Sequence, residues 1–510
     1  MGCVIGCDIG TQALKAVLWG EEGRILSTET SKFVVDYPHP AWAEQDPTQW
    51  WRAMVEVIPR LCQKAGVAPH SVVAIGVDGT VDGFVPVAEG GETLAPYILW
   101  MDRRAARECE YIASLINPKR LFNLTGLNLD ASHTAAKMLW LRNHRPEVYK
   151  RAWKLMPSAT YIVYKLTGEC VLDHSNASST MLFDVRAREW SVEMLGFLGI
   201  EPDLLPEVRR GIDIAGLLTS EAARALNLPA GIPVVVGCGD EHAACVGAGG
   251  IEPGIAVDIL GTAEPVCMSA YGPAFDESQL VETHCHAHPE RWLLENPGFV
   301  SGGNYRWFRD NFYVHIDSQD ASYETLNREA ARVSPGSDGL IFLPCMMGAM
   351  APEWNDKARG VFFGLTLAHT RGHMARALLE GAAYALRSVI ESMQRMGLTV
   401  HEIRAVGGGA KSDLLRQIRA DVTGIPVTSL SVTETTGLGA ALLAAVGVGL
   451  CSDLKEAVNC TIKVARVNEP NLGNKALYDQ TYQNFLFLYR RLKECFERCP
   501  SAGLAVISRA

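Results

Sequence analysis

Three things that the chain lacks narrow its possible functions. Basic residues are outnumbered, with 47 Lys and Arg against 57 Asp and Glu and a net charge of −10, so we expect no nucleic-acid partner, because phosphate contacts need clustered cations. No apolar run is long enough to cross a bilayer, so we expect no membrane partner. The 14 cysteines include no Cys-x-x-Cys pair, which indicates reduced thiols in a cytoplasmic protein rather than a disulfide framework.

What the chain does have is length and an ordinary globular composition. Its 510 residues are 48% hydrophobic and 20% charged. A chain of this length exceeds a single hydrophobic core and predicts roughly two to four domains. Because the chain is acidic, any phosphate ligand must be held by local devices, such as backbone N–H groups, a metal ion or a single lysine.

One carboxylate stands directly after an apolar strand. The strand at 235–236 runs into Gly237-Cys238-Gly239, and Asp240 follows where small residues open a predicted helix. Glycines leave room for another molecule, and a carboxylate placed there can take a proton from a bound hydroxyl as a general base. Taken alone, the local sequence favours the alternative that Asp240 caps the helix.

A buried strand at 4–9 contains Asp8 and leads into the turn Gly10-Thr11-Gln12. The N–H groups and the hydroxyl of such a turn can bind a phosphate, and Asp8 can hold a hydrated Mg²⁺. For this single motif a plain hairpin turn is the favoured alternative. A related pattern returns far downstream, where the strand at 256–260 ends in Gly261-Thr262.

The two strand-to-turn segments suggest two domains of one design, each presenting a phosphate-binding turn to a shared cleft. The glycine-rich segment 247–254 is the best hinge. Near the end of the second half, Gly407 to Gly409 follow a strand and allow close approach to adenosine or its phosphates. This segment is not a P-loop, since Ala410 stands where a glycine is required.

Other polar segments follow predicted strands. A loop at 78–84 follows the strand at 72–77, a charged helix is predicted to begin at 100–104, and a Ser/Asn-rich loop is predicted at 173–184. Small ligands commonly bind at such strand ends in open α/β sheets. Each segment alone is equally consistent with a solvated connection.

His284, His286 and His288 have the composition of a metal cluster, and alternation places all three on one face of a predicted strand. No partner ligand set with metal spacing follows, so we expect strand and core roles instead. At the end of the chain, the apolar spacing within 475–498 predicts an amphipathic helix packed on the body rather than a dimer seam. A homodimer stays an open alternative.

Taken in order, these motifs resemble the FGGY family of carbohydrate kinases, and within it the xylulokinases. The resemblance covers about residues 6–449. It rests on the segments 6–11, 42–47, 50–51, 237–240, 260–262, 359–366, 375–381 and 407–410.

The resemblance implies an α/β fold of the sugar kinase/HSP70/actin superfamily. Two actin-like, ribonuclease H-like domains would enclose a ligand cleft, with boundaries at 1–250 and 251–510. The first domain would carry the sugar site and the first phosphate turn, and the second the adenosine site and the second phosphate turn. ATP and Mg²⁺ are the implied cofactors, and a sugar is the implied substrate.

The resemblance also implies residue roles. Asp240 matches the catalytic base, which reverses the local preference for a helix cap, and it would also contact the sugar. Lys15 is a further phosphate candidate, although a solvent-facing strand lysine is the alternative. The implied ATP and phosphate contacts are Gly10, Thr11, Gln12, Lys15, Gly261, Thr262, Gly408, Gly409 and Ala410, with Asp8 holding Mg²⁺ through water.

The implied sugar contacts are Thr80, Val81, Asp82, Trp100, Asp102 and Arg104. Here the chain departs from the family, because xylulokinases usually carry Gln-Met-His-Gly where it has Thr80-Val81-Asp82-Gly83. Asp82 would accept rather than donate hydrogen bonds. The segment 348–352 also lacks two charges that the family carries near the cleft, and Glu264 lies close to the phosphates or points away.

We therefore expect ATP-dependent phosphorylation of D-xylulose to D-xylulose 5-phosphate. The alternatives are a kinase for another ketose or polyol, such as ribulose, ribitol, erythritol or an L-ketose, and a non-catalytic sugar-binding protein of the same fold. Retention of Asp8, Thr11, Asp240 and Thr262 together argues against the last alternative, because a binding protein needs no base.

Overall fold

Two seven-stranded mixed sheets, one in each half of the chain, organise the fold. The computed structural model describes residues 2–314 and 318–498. The strands of the first half are β1 (Cys3–Ile9), β2 (Ala13–Gly20), β3 (Arg24–Lys32), β4 (Glu44–Gln45), β5 (Val72–Gly79), β6 (Val85–Val87), β7 (Tyr97–Ile98), β8 (Lys154–Met156), β9 (Val171–Asp173), β10 (Phe183–Asp184), β11 (Glu189–Trp190), β12 (Glu207–Arg209), β13 (Ile214–Leu217), β14 (Pro233–Val235) and β15 (Cys238–Gly239).

The helices of the first half are α1 (Thr48–Ala65), α2 (Ala106–Leu115), α3 (Pro118–Thr125), α4 (Thr134–His144), α5 (Pro146–Arg151), α6 (Ser158–Thr167), α7 (His174–Ser178), α8 (Val192–Leu198), α9 (Ser220–Leu226) and α10 (Asp240–Gly247). The strands of the second half are β16 (Ile255–Ile259), β17 (Ala263–Ala270), β18 (Glu282–Cys285), β19 (Trp292–Val300), β20 (Ile341–Leu343), β21 (Val361–Phe363), β22 (Glu402–Val406), β23 (Val427–Leu430) and β24 (Val464–Asn468). Its helices are α11 (Gly302–Phe312), α12 (Gln319–Ala331), α13 (Arg371–Arg395), α14 (Asp413–Thr423), α15 (Thr435–Gly447), α16 (Leu454–Thr461) and α17 (Lys475–Arg498).

The two sheets repeat one pattern of strands. In the first, β3, β2 and β1 are antiparallel neighbours, and β5 and β14 continue the sheet in parallel with β1. In the second, β19, β17 and β16 take the antiparallel places, and β22 and β23 the parallel ones. This is the arrangement expected of two ribonuclease H-like units, so the predicted α/β fold with a repeated design is confirmed. The boundaries at 1–250 and 251–510 stay a prediction.

Apolar runs explain why β1 and β5 lie at the centre of the first sheet. All seven residues of β1 are buried, and β5 is buried at all but one position. Strands covered on both faces are continuously apolar rather than alternating. Asp8 and Asp78, near the ends of these strands, therefore lie at the carboxyl edge of the sheet in buried surroundings.

Helix α15 belongs to the second half of the chain but covers the first sheet. A Cβ added to Gly6 on β1 would lie 1.9 Å from the carbonyl oxygen of Gly437. A Cβ added to Gly439 would lie 2.0 Å from the carbonyl oxygen of Ala243 on α10. Only glycine permits these backbone approaches. The small-residue helix thus holds β1 and α10 tightly against the second half.

Two sequence predictions of local structure are wrong. The segment 173–184 is not a loop throughout, because the Asp173 side chain accepts hydrogen bonds from the N–H groups of Ser175 and Asn176 and starts helix α7. No helix begins at 100–104, and α2 starts at Ala106. The Asp102 carboxylate binds the N–H group of Arg104 at 2.9 Å, and such a local bond competes with helical pairing.

The terminal helix agrees with its prediction, since Tyr478, Tyr482, Phe485 and Tyr489 of α17 are buried in the core beside α13. In the described ranges no disulfide forms, and each cysteine there is a free thiol. None of the helices described has the length and apolar character needed to cross a membrane.

Candidate active site

Three carboxylates meet at the carboxyl ends of neighbouring parallel strands. Asp8 on β1 is paired in register with Asp78 on β5, and Cys238 on β15 pairs with Asp78 from the other side. Asp240 follows β15 directly and is the first residue of α10. Asp8 and Asp78 are buried. The strand order of the first sheet therefore brings together two predicted site residues, Asp8 and Asp240, and adds Asp78.

Burial and mutual repulsion make these three carboxyl groups hard to ionise. Burial raises the pKa of Asp8 to about 6, despite the nearby charge of Lys15. Burial, and then the charge of Asp8, raise the pKa of Asp78. Burial raises the pKa of Asp240 as well, with Glu241 and Asp8 adding to the shift. Clustered carboxylates with raised pKa values are typical of catalytic and cation-binding sites.

The cluster has free oxygen atoms suited to a cation. Among the described residues, no hydrogen-bond partner reaches Oδ1 of Asp8 or either side-chain oxygen of Asp78. Buried polar atoms are normally paired with protein, water or an ion. Carboxylate oxygens are also the ligands that Mg²⁺ prefers. These residues therefore fit a hydrated divalent cation.

Asp240 does not cap its helix. Gly239 occupies the capping position of α10, with no capping side-chain hydrogen bond, and the Asp240 carboxylate accepts a hydrogen bond from the N–H group of Glu241 at 3.0 Å. Gly237 has a φ of 86° and lies against the backbone of Val77. The two glycines thus turn the chain sharply beside β5 and leave Asp240 partly exposed, as a base requires.

The first turn is fixed by side chains from other elements. The carbonyl oxygen of Thr11 accepts a hydrogen bond from Gln45 Nε2 at 2.9 Å, and the Thr11 hydroxyl accepts one from Trp100 Nε1 at 3.0 Å. Gly10 donates its N–H to the carbonyl oxygen of Ala13, which closes the turn, and Gln12 is exposed. Lys15 on β2 lies across from Asp8 and forms an ion pair with Glu434 at 3.4 Å. These hydrogen bonds hold the turn in place, and Gln12 is its exposed residue.

The second turn, Gly261-Thr262, and the segment Gly407 to Ala410 are joined through Leu260. The carbonyl oxygen of Leu260 accepts the N–H group of Gly409 at 3.2 Å, within a short 3-10 helix (Gly408–Lys411). Gly408 is exposed with open space around it, and Gly261 and Thr262 are exposed as well. Ala410, by contrast, is buried. The structure therefore groups the predicted ATP contacts of the second half at one end of the second sheet.

Glu264 points away from this turn. Its carboxylate is fully buried and pairs with Arg419 Nη2 at 2.6 Å, while Asp258 pairs with Arg419 Nε at 2.8 Å. The single charge of Arg419 is shared by the two carboxylates, and burial together with Glu264 raises the pKa of Asp258, so the three side chains form one internal network. The second of the two alternatives for Glu264 is therefore correct, and the residue has a structural role.

Asp82 stands in a polar network that the sequence does not reveal. Its backbone has a φ of 63°, and its Oδ1 lies 3.1 Å from Nδ1 of the buried His133. Burial disfavours the charged form of His133, but Asp82 and Glu282 outweigh this and raise its pKa to about 9. Lys137 donates to the carbonyl oxygens of Asp82 and Leu99 at 2.6 and 2.7 Å. The Asp82 carboxylate is thus held by a cationic imidazole.

The other predicted sugar contacts differ in how open they are. Trp100 is 40% exposed, whereas Thr80 is buried and its hydroxyl lies 3.1 Å from that of Tyr97. Val81 packs close to the backbone of Gly239, where an added Cβ would come within 2.5 Å of it. Trp100 therefore borders the first turn at Thr11, and Val81 borders the turn that leads to Asp240.

Asp102 and Arg104 form a closed pair. The Arg104 guanidinium binds Asp102 through two hydrogen bonds of 2.9 and 2.7 Å and pairs with Glu44 at 2.7 Å. It also lies 3.7 Å from the ring centroid of Trp42. With its charge already satisfied in this way, Arg104 shapes the site by fixing the segment after Trp100. A direct sugar contact of either residue stays a prediction.

The histidine prediction is partly wrong. Strand β18 ends at Cys285, and the chain turns at once, with the N–H group of His288 bound to Nδ1 of His286 at 2.8 Å. The three histidines therefore do not share one strand face. His284 lies beside His242 and Glu295, which come from other elements of the fold.

Sequence reasoning missed Asp78, His133 and Lys137 as members of the site. Asp78 was detectable in principle, since it ends a buried strand as Asp8 does. His133 and Lys137 stand at the start of α4, and no local pattern connects them with Asp82. Only the tertiary packing brings them together.

The family comparison covers most of the chain. Residues 3–247 match the N-terminal domain of the FGGY family of carbohydrate kinases, and residues 257–448 match its C-terminal domain. The xylulose kinase of Escherichia coli K12 is 32% identical over 489 residues, which are 96% of this chain and 99% of that protein.

Two further similarities agree with this result. The glycerol kinase of Thermococcus gammatolerans is 33% identical over 482 residues, covering 92% of this chain and 94% of that protein. The crystal structure of xylulose kinase from Rhodospirillum rubrum superimposes with a TM-score of 0.90 at 29% identity, covering 97% of this chain and 100% of that one.

Proposed function

The chain belongs to the FGGY family of carbohydrate kinases, and we propose that it transfers the γ-phosphate of ATP to D-xylulose, giving D-xylulose 5-phosphate. The observation that carries the proposal is Asp240. Asp240 does not cap α10 and is partly exposed, and it lies beside Asp8 and Asp78 at the end of the first sheet. A protein that only binds sugar would gain nothing from three carboxyl groups placed at the cost of burial.

In the proposed reaction Asp240 accepts the proton of the sugar hydroxyl as that hydroxyl attacks the γ-phosphorus in line. The Asp240 pKa, raised by burial and by Glu241 and Asp8, makes the carboxylate a stronger base than a free aspartate. Asp8 and Asp78 would hold Mg²⁺ through its water shell, and the ion would neutralise charge on the phosphates. Positioning and electrostatics would supply most of the rate.

The ATP phosphates would lie between the two turns. Gly10, Thr11 and Gln12 would line one side of the phosphates, and Gly261 and Thr262 the other. The N–H groups of Gly10 and Gly261 are bonded within their own turns, to the carbonyl oxygens of Ala13 and Ala263, so the hydroxyls of Thr11 and Thr262 and the exposed Gln12 would make the contacts. Adenosine would run along Gly408, Gly409 and Ala410. Lys15 is the remaining phosphate candidate, and its ammonium group lies 3.4 Å from the Glu434 carboxylate.

D-xylulose is the proposed substrate because xylulose kinases match over nearly the full length of both chains. A second candidate, another ketose or polyol, is favoured by one observation. Asp82, bound to His133, is an acceptor for sugar hydroxyls at a position where the family usually has a histidine. Glycerol kinases of comparable similarity show that polyol substrates occur among the relatives.

The test is a coupled ADP-release assay with Mg-ATP and a panel of D-xylulose, D- and L-ribulose, ribitol, erythritol and glycerol. Turnover that is highest with D-xylulose, and absent without sugar, supports the proposal. Preference for another member would move the substrate assignment to the second candidate. Sugar binding without ADP release, in folded protein with Mg²⁺, would overturn the kinase mechanism. The Asp240→Asn variant, prepared identically, controls for contaminating kinases.

A further inference from the structure

Two histidines and one glutamate from separate elements meet in the interior. His242 lies on the first turn of α10, His284 on β18 and Glu295 on β19. Their exposed fractions are 0%, 4% and 1%. One ligand atom from each lies within 4.8 Å of the others. These side chains play no part in the phosphate turns or in the predicted sugar contacts.

The spacing of His284 and Glu295 fits metal coordination. His284 Nε2 lies 3.4 Å from Glu295 Oε2. Two ligand atoms at about 2.0–2.1 Å from one Zn²⁺ ion, at a tetrahedral angle, lie about 3.4 Å apart. A second carboxylate oxygen, Glu282 Oε2, lies 3.8 Å from the same nitrogen and is available as a fourth ligand.

The outer atoms of two of these side chains are held in the orientation that a metal site needs. His284 Nδ1 lies 3.3 Å from the Ser179 hydroxyl, which leaves Nε2 to face Glu295. The Cys267 thiol donates to Glu295 Oε1 at 3.6 Å, which leaves Oε2 to face His284. Metal-binding histidines usually have their second ring nitrogen hydrogen-bonded in this way, which fixes the tautomer and the ring.

The histidine nitrogens that would face the metal ion lack hydrogen-bond partners among the described residues. Among the described residues, neither ring nitrogen of His242 nor Nε2 of His284 has a hydrogen-bond partner. A fully buried imidazole with both nitrogens unpaired is costly, because buried polar groups are nearly always satisfied. An imidazole coordinates a metal ion through such an unpaired ring nitrogen.

Carboxylate side chains supply further ligand atoms beside His284. Glu282 Oε2 and Glu295 Oε2 lie 3.8 and 3.4 Å from His284 Nε2, and Glu282 Oε1 lies 3.9 Å from His133 Nε2. A divalent cation would neutralise this cluster. Imidazole nitrogen together with carboxylate oxygen selects Zn²⁺ and its first-row neighbours over Mg²⁺, which prefers oxygen alone.

We propose that His242, His284 and Glu295 form a buried site for one divalent transition-metal ion of the Zn²⁺ type, with Glu282 or a water molecule as the fourth ligand. The ion would tie α10, which begins with Asp240, to the second sheet, and would act as a positioning element rather than in the chemistry. The site is independent of the sugar substrate. It escaped the sequence analysis because only His284 comes from the histidine-rich stretch.

The test uses the full-length protein, purified without a histidine tag and stripped with a chelator. After reloading with Zn²⁺ and desalting, elemental analysis should find about one zinc ion per chain, and the thermal midpoint should rise. His284→Gln and Glu295→Gln should each lose at least about nine-tenths of the bound zinc. The control His288→Gln changes a histidine of the same stretch outside the cluster and should keep it.

Wild-type protein decides the question if a variant does not fold. Loading with Co²⁺ should give the visible absorption bands of tetrahedral cobalt, and added Zn²⁺ should remove them. Desalted wild-type protein that retains neither ion would overturn the proposal, as would a folded His284→Gln variant that binds zinc like the wild type. Neither outcome depends on kinase activity.

Discussion

Asp8 and Asp78 lie opposite each other in register on the parallel strands β1 and β5, both buried, and Lys15, across from Asp8 on β2, is paired with Glu434. Like charges so placed are unstable unless a proton or a cation is shared. The arrangement therefore suits a cation bound with ATP. In the free protein, the two buried carboxyl groups lower the free energy of unfolding.

Replacing Asp8 should change how stability depends on pH. Burial raises the folded-state pKa of Asp8 from 3.8 to about 6, so the folded state holds a proton that the unfolded state has released. The free energy of unfolding must then fall as pH rises through this window. Without metal, Asp8→Asn should be more stable than the wild type by about 3 kcal/mol at pH 7, and the gain should vanish near pH 4.

Urea unfolding of both proteins in chelator, from pH 4 to 7, measures this difference. Asp203→Asn is the control, since Asp203 is exposed on the surface. A gain of equal size at both ends of the pH range would contradict the assigned pKa shift.

Replacing Asp240 should separate binding from chemistry. Asp240→Asn keeps the shape of the side chain and removes the base, so kcat should fall by roughly 10²–10⁴ while the fold is kept. Isothermal titration with sugar should still show binding. A kcat within a few-fold of the wild type, with the Asp203→Asn control unchanged, would show that another group accepts the proton.

Asp82 should set sugar preference. Its carboxylate is held by His133 and accepts hydrogen bonds, so Asp82→Ala should raise the KM of the preferred sugar by about tenfold, the worth of a charge-assisted hydrogen bond. The KM for ATP should not change, because the turns that would hold it are unaltered. If the ranking of sugars in the panel stays the same in the variant, Asp82 does not determine specificity.

Arg104 should stabilise the fold through the geometry of its contacts and not through its positive charge alone. Arg104→Lys keeps the cation but loses the two-point bond to Asp102 and the stacking on Trp42. We expect a loss of about 2–4 kcal/mol in the free energy of unfolding, measured in urea. The control Arg107→Lys, an exposed residue on α2, should change it by less than about 0.5 kcal/mol.

The sequence predicted the frame of this site better than its contacts. Asp8 and the turn after it were detectable because a continuous apolar strand ends there, and the same pattern at Gly261-Thr262 revealed the repeat. Local competition hid other features, as where the Asp102 side chain prevents a helix at 100–104. The partners of Asp82 and of His284 come from distant elements. The periodicity of apolar residues within one segment carries no information about contacts between distant segments.

The contact between α10 and α15 offers the last test, because it joins the helix of Asp240 to the second half of the chain. A Cβ on Gly439 would lie 2.0 Å from the Ala243 carbonyl oxygen, so Gly439→Ala must push the two helices apart. We expect a loss of about 1–3 kcal/mol in stability. We also expect a lower kcat, since Asp240 begins α10.

Gly196 provides the matched control. It also lies within a helix, α8, but a Cβ there would meet nothing within 4 Å. Gly196→Ala should therefore stabilise the protein by about 0.5–1 kcal/mol through helix propensity alone and leave kcat unchanged. Urea unfolding and the ADP-release assay on both variants should give opposite signs for stability and a rate change in Gly439→Ala only. Equal effects would mean that helix propensity, not the close contact, governs the position of Asp240.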